Sequence, residues 1–236
     1  MSRRPPVVAL ADLGPLAQLR AGRLPRRLAQ LFVGLVLYGA SLGLMVRGEL
    51  GLAPWDVLHS GFIRHVPITL GQAVILLSLV VLLLWIPLRE VPGVGTLANA
   101  VVVGLSADAT LALLDPPDAL LGRGALLAAG ILLNGLATAM YIGAQLGRGP
   151  RDGLMTGLAR TTGRSLRLVR TTLEVTVVVI GLLLGGALGP GTVLYAVLIG
   201  PLAQAMLPTW VVDVTAASDA SRRGWRRRTP PGPPPR

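Results

Sequence analysis

The chain has no cysteine, so it can hold no disulfide, no thiolate metal site and no cysteine nucleophile. It also has no lysine: all 22 basic residues are arginine. Catalytic signatures are missing. There is no His-Glu-x-x-His, no Gly-x-Ser-x-Gly and no P-loop, so no enzyme class is indicated and no cofactor is called for. The two histidines, His59 and His65, are six residues apart and do not share a helix face, so no metal site is expected. No run of alternating ten-residue strands is present, which argues against an outer-membrane barrel. A cleavable signal peptide is not expected either. The first 27 residues are basic and contain proline, and the apolar run after them is too long for a signal-peptide core. That run is expected to act as its own insertion signal.

What the chain does have is apolar length. Hydrophobic residues make up 52% of it and the mean hydropathy is +0.65, above the ordinary globular range. Six nearly uncharged runs stand out, at 28–46, 70–88, 96–114, 125–143, 171–188 and 192–212. Each is near the ~20 residues that a bilayer core requires. Each must be helical, because every backbone polar group in lipid needs an internal partner. The expected class is therefore an all-α integral membrane protein with six transmembrane helices, and its first partner is the lipid bilayer.

The net charge of +11 could suggest nucleic acid, but its distribution points to topology. Segments 1–28, 144–170 and 209–236 carry net charges of +5, +5 and +4. With both termini cytoplasmic, these segments and loop 87–95 lie inside and hold 19 of the 22 arginines. Only Arg47, Arg64 and Arg123 remain outside. This is the positive-inside pattern, and it supports an even number of spans. No nucleic-acid partner is expected.

The sequence also repeats itself at an offset of 96 residues. Gly51, Pro54 and Asp56 match Gly147, Pro150 and Asp152. Between 34 and 64 there are 10 identities in 31 positions, and between 93 and 109 there are 8 in 17. Chance would give roughly one in ten, so an internal duplication is expected. Repeat 1 covers 28–114 and repeat 2 covers 124–212, joined by a linker at 115–123. A basic segment, 1–27, precedes them. A basic, proline-rich tail, 213–236, follows and is expected to be disordered. Three spans per repeat is an odd number, so repeat 2 should enter the membrane from the opposite side. Inverted duplications of this kind recur in secondary transporters.

Each Gly-x-x-Pro-x-Asp motif reads as the start of a short loop helix at Pro54 or Pro150, ending before Pro67 and Gly163. Proline suits the first turn, an aspartate is favoured by the positive end of the dipole, and Gly51 and Gly147 permit a sharp entry. Two readings stay open. Asp56 and Asp152 merely cap these helices, or the helices are re-entrant and their first turns form a polar site. Trp55 is then an interfacial anchor or a cavity wall, opposite its counterpart Arg151.

Two acids lie inside expected spans, where charge is costly and therefore suspect. Glu174 has Arg170 four residues earlier and reads as a simple pair. Asp108 has no partner nearby in sequence. Asn99, Asn134, Gln72 and Gln204 read as interhelical hydrogen bonders. Gly34, Gly39, Gly43, Gly130 and Gly135 read as a close contact between spans one and four.

Leu-Tyr-Gly-x-Ser-Leu-Gly around Tyr38–Gly43, Gly-Leu-Ala-Pro-Trp-Asp-Val-Leu-His from Gly51, and Pro-Gly-Val-Gly-Thr-Leu-x-Asn from Pro92 resemble the YczE-like bacterial membrane proteins of the YczE/YyaS/YitT group. The resemblance runs over most of 28–212. It implies a bacterial plasma membrane location and brings no established activity or substrate.

The leading expectation is a small-solute or ion transporter working by rocking of inverted repeats. Asp56, Asp152 and Asp108 are the candidate binding residues, followed by Glu174 and Trp55. The competing expectation is a non-transporting membrane scaffold or regulator. A lipid-handling enzyme has no motif support. Homo-oligomerisation stays open.

Overall fold

In the computed structural model, residues 14–214 are described, and among them there are nine helices and no strand. In chain order they are α1 Pro15–Arg20, α2 Leu24–Gly48, α3 Pro54–Phe62, α4 Leu70–Leu88, α5 Val94–Leu113, α6 Leu120–Gly143, α7 Pro150–Thr162, α8 Leu166–Leu183 and α9 Pro190–Trp210. The expected disordered tail lies outside the described residues, apart from positions 213 and 214.

The helix starts follow local chemistry. Prolines open α3, α7 and α9, where the missing N–H is not needed. Thr69 caps α4 by accepting from Gln72 N, and Gln72 Oε1 accepts from Thr69 N in return. Gln72 therefore caps its own helix rather than bonding to a neighbour. Ser165, 96 positions after Thr69, caps α8 by accepting from Leu168 N. Gly163 ends α7 in the left-handed conformation, with φ +66°.

α2 and α6 pack along each other, and α5 and α9 flank them. Glycines set the distances. A Cβ on Gly34 would lie 3.0 Å from the backbone N of Tyr141 in α6, and one on Gly130 would lie 3.1 Å from Ser41 O in α2. Gly39 and Gly43 instead face α5, and Gly135 faces α9. Only two of the five glycines expected between spans one and four serve that contact; the others admit the third helix of their own half.

The two short helices pack on the opposite half of the chain: α3 lies against α8, and α7 against α4. Two backbone contacts repeat at the 96-residue offset. Gly95 N donates to Leu146 O at 2.8 Å, and Gly191 N donates to Leu50 O at 2.8 Å. Just beyond those carbonyls stand Gly147 (φ +129°) and Gly51 (φ +118°). A Cβ on Gly51 would fall 2.9 Å from the Gly189 backbone, so both dihedral and space require glycine there.

Arg27, placed by its sequence position in the basic N-terminal segment, sits inside α2 and is wholly buried. It donates to Ala144 O at 2.8 Å, Gln145 O at 2.6 Å and Gln18 O at 2.6 Å. Gln30, one turn on, donates to Met140 O and Trp210 O. The start of α2 thus supplies donors to carbonyls at the ends of α6 and α9, where intrahelical partners run out.

Five helices, α2, α4, α5, α6 and α9, are long and apolar enough to cross a membrane. Their outward faces carry Leu83, Leu105, Val193 and Val197, each more than half exposed. Apolar faces of that extent need a covering. The fifth expected span, 171–188, is not among these five. Its helix, α8, begins earlier, at Leu166, and carries Arg167, Arg170 and Glu174. The uncharged stretch from 175 to 183 is nine residues, about 14 Å of helix, short of a ~30 Å hydrocarbon core.

Candidate functional site

A cavity of about 250 Å³ lies where the halves meet. Tyr38 of α2, Trp55 of α3, Asn99 of α5, Tyr141 of α6, Arg151 and Asp152 of α7, Arg170 and Glu174 of α8, and Tyr195 and Gln204 of α9 line it. A pocket of about 20 Å³ shares Trp55, Asn99 and Arg151 with it and adds Asp56, His59 and Ser78. A third space, about 380 Å³, lies by Val46, Leu52, Ile63 and Leu70 and is walled mainly by apolar side chains. It gathers few polar groups, so the first cavity is the better candidate site.

The first turns of α3 and α7 converge here. The Arg151 guanidinium carbon stands 5.7 Å from the Trp55 ring centroid and 5.6 Å from that of Tyr38. Arg151 Nη2 donates to Tyr38 Oη. Arg151 is thus within cation–π range of both ring centroids. Among the described residues, no carboxylate oxygen lies within 4.0 Å of the guanidinium. Beside it, Asp152 Oδ2 accepts from Tyr141 Oη at 2.6 Å. That is its sole hydrogen bond among the described residues, and no basic nitrogen lies within 4.0 Å of it. Trp55 is 6% exposed, and its buried Nε1 has no hydrogen-bond partner among the described residues.

The position of α7 has its own support. Trp85 Nε1 of α4 donates to Pro150 O at 3.0 Å, and Gly153 lets the α7 backbone close on the Trp85 ring. Behind the cavity runs a buried polar chain. Tyr195 Oη donates to Asn134 Oδ1 at 2.9 Å, Asn134 Nδ2 donates to Ser41 Oγ at 2.7 Å, and Ser41 Oγ donates to Tyr38 O at 2.6 Å. It ties α9, α6 and α2 together, and Asn134 has the interhelical role its sequence position suggested.

The sequence-expected residues separate into groups. Trp55, Asp152 and Glu174 share the cavity. Asp56 lies next door, 3% exposed, with Oδ1 at 3.0 Å from His59 Nδ1. Among the described residues, neither Asp56 nor Asp152 accepts a backbone N–H. Glu174 pairs with Arg170 at 2.9 Å, the pairing the four-residue spacing implies. Asp108 is elsewhere. It accepts from Thr69 Oγ1 and from Gly71 N at 2.8 Å, and so caps α4 from across the bundle. Gly51, Pro54, Gly147 and Pro150 shape the entries to the two short helices. No group of three or more His, Cys, Asp or Glu that could hold a metal occurs among the described residues.

Sequence reasoning passed over Arg151 as a functional group, and it passed over the tyrosines. Yet a signal was there: the chain has only three tyrosines, and all three line this cavity.

The chain is similar to an uncharacterised protein of Haemophilus influenzae, at 42% identity over 75% of this chain and 81% of the relative. It is similar to the uncharacterised membrane protein YczE of Bacillus subtilis, at 32% identity over 75% and 83%. Against the uncharacterised protein YyaS of the same organism, identity is 26% over 75% and 90%. No solved structure matches. The YczE relative and the five apolar helices make this a membrane protein. Residues 25–208 match the family of unknown function DUF6198, and the chain belongs to that YczE-like family.

Proposed function

We propose that the chain is a transporter of a small solute or ion rather than an enzyme, built as two inverted three-helix repeats in a bacterial plasma membrane. The observation that carries this is the polar cavity on which the first turns of α3 and α7 converge, with Arg151 and Asp152 facing it unpaired by each other. Charge at membrane depth is tolerated where it lines a cavity, and it marks solute or ion paths.

Several contacts support the repeat. Gly95–Leu146 and Gly191–Leu50 are one hydrogen bond made twice at the 96-residue offset. Packing of α3 on α8 corresponds in the same way to packing of α7 on α4. In this reading α8 is also a span, the fifth in chain order, and its charges at Arg170 and Glu174 are tolerated because they face the cavity. Both termini then lie in the cytoplasm, as the arginine distribution suggests. Rocking of the halves would expose the cavity to each side in turn.

Uptake into proteoliposomes tests the function. A broad solute panel should yield at least one substrate whose uptake is lost in Asp152→Asn and reduced in Asp56→Asn. A panel with neither uptake nor ligand stabilisation removes the transporter reading. Topology is tested in the cysteine-free background. His65→Cys should react with an impermeant maleimide from outside and Arg164→Cys only after permeabilisation. Labelling of both from one side refutes the inversion.

A further inference from the structure

We propose that the cavity binds a small zwitterion, a solute carrying one carboxylate and one primary ammonium; this rests on the transporter reading and names its substrate class. At the carboxylate end, Arg151 has no carboxylate within 4.0 Å among the described residues. The Trp55 indole donates to nothing among the described residues, although it is 94% buried and lines both the cavity and the pocket beside it. A buried donor left unsatisfied is destabilising. An acceptor reaching both Arg151 and Trp55 Nε1 would relieve that cost. The positive ends of α3 and α7 meet at the same place, which further favours negative charge there.

An anion alone would leave the opposite charge unanswered. Asp152 lines the same cavity, holds a single hydrogen bond from Tyr141, and has no cation within 4.0 Å. Arg151 and Asp152 are consecutive on α7, so they project about 100° apart rather than toward one another. One solute with both charges can pair with each, and it adds no net charge to a site where Arg151, Arg170, Asp152 and Glu174 already cancel. The volume agrees. About 250 Å³ is many times the ~10–15 Å³ that a cavity needs to hold one water, enough for an amino-acid-sized molecule.

The test is isothermal titration of the full-length protein in detergent. The probes are glycine, alanine, serine, proline, leucine and glutamine, each with its matched carboxylic acid lacking the amine and its matched amine lacking the carboxylate. At least one zwitterion should bind tenfold or more tightly than both of its matched analogues. Arg151→Gln and Asp152→Asn should each weaken it by tenfold or more, with Arg151→Gln also weakening the acid and Asp152→Asn the amine. The ranking in the unmutated protein decides the matter even if a variant misfolds. An acid or an amine that binds as tightly as its zwitterion overturns the proposal, and so does absence of binding by all six. Uptake separates the two ideas. Zwitterion binding without uptake upholds the site and removes transport. Uptake that favours a plain anion or cation upholds transport and overturns this substrate class.

Discussion

Gly153→Ala should destabilise the protein through one contact. A Cβ at Gly153 would lie 1.9 Å from Cζ2 and 2.4 Å from Cη2 of Trp85. Trp85 is 3% exposed, so its ring has nowhere to go without disturbing α4 or α7. Overpacking of this kind costs about 1–3 kcal/mol. Displacing the ring also strains the Trp85 Nε1 to Pro150 O bond, 3.0 Å long, worth about 1 kcal/mol. Alanine in place of a helical glycine returns about 1 kcal/mol. The net cost is about 2 kcal/mol. Trp85→Ala alone should cost about 4 kcal/mol through the void it leaves. Together the two changes should cost about 3 kcal/mol, not the additive ~6, because the clash disappears with the ring. The assay is reversible unfolding in mixed micelles against added dodecyl sulfate, followed by far-ultraviolet circular dichroism. Additivity within about 0.5 kcal/mol would refute the direct contact, and with it the packing that sets α7 beside the cavity.

Arg27→Met should cost about 3 kcal/mol in the same unfolding assay, since it removes charge-assisted bonds to three carbonyls and leaves the end of α6 unsatisfied. A change under 0.5 kcal/mol would show that water replaces it freely. Asn134→Leu should cost about 1–2 kcal/mol, because Tyr195 Oη and Ser41 Oγ each lose a buried partner. Adding Tyr195→Phe should then cost less than it does alone, and strict additivity would argue against the network.

Much of the helix pattern was legible because its causes are local. α4 lies where the apolar run at 70–88 places it, and α3 and α7 open at Pro54 and Pro150 as the motif requires. α8 was less legible. Its apolar run at 171–188 hid a helix that starts at Leu166, in the charged turn capped by Ser165. Asp108 shows another limit, since its partner Gly71 N is 37 positions away and no spacing rule reaches that far.

Composition and order by themselves determined the all-helical membrane class and the two Gly-x-x-Pro-x-Asp turns that match at an offset of 96 residues, because hydropathy and backbone preference act locally along the chain. Which polar residues meet from distant parts of the chain was decided by tertiary structure. The swap that sets α3 on α8 and α7 on α4 brings Trp55 to Arg151 from 96 positions away, and the packing of α2, α6 and α9 sets Tyr38, Tyr141 and Tyr195 around one cavity. Packing of α5 against α4 leaves Asp108 capping α4. The physical reason is that a buried charge is tolerated where a partner or a polar cavity meets it, and for groups distant in the chain packing rather than sequence distance decides which those are.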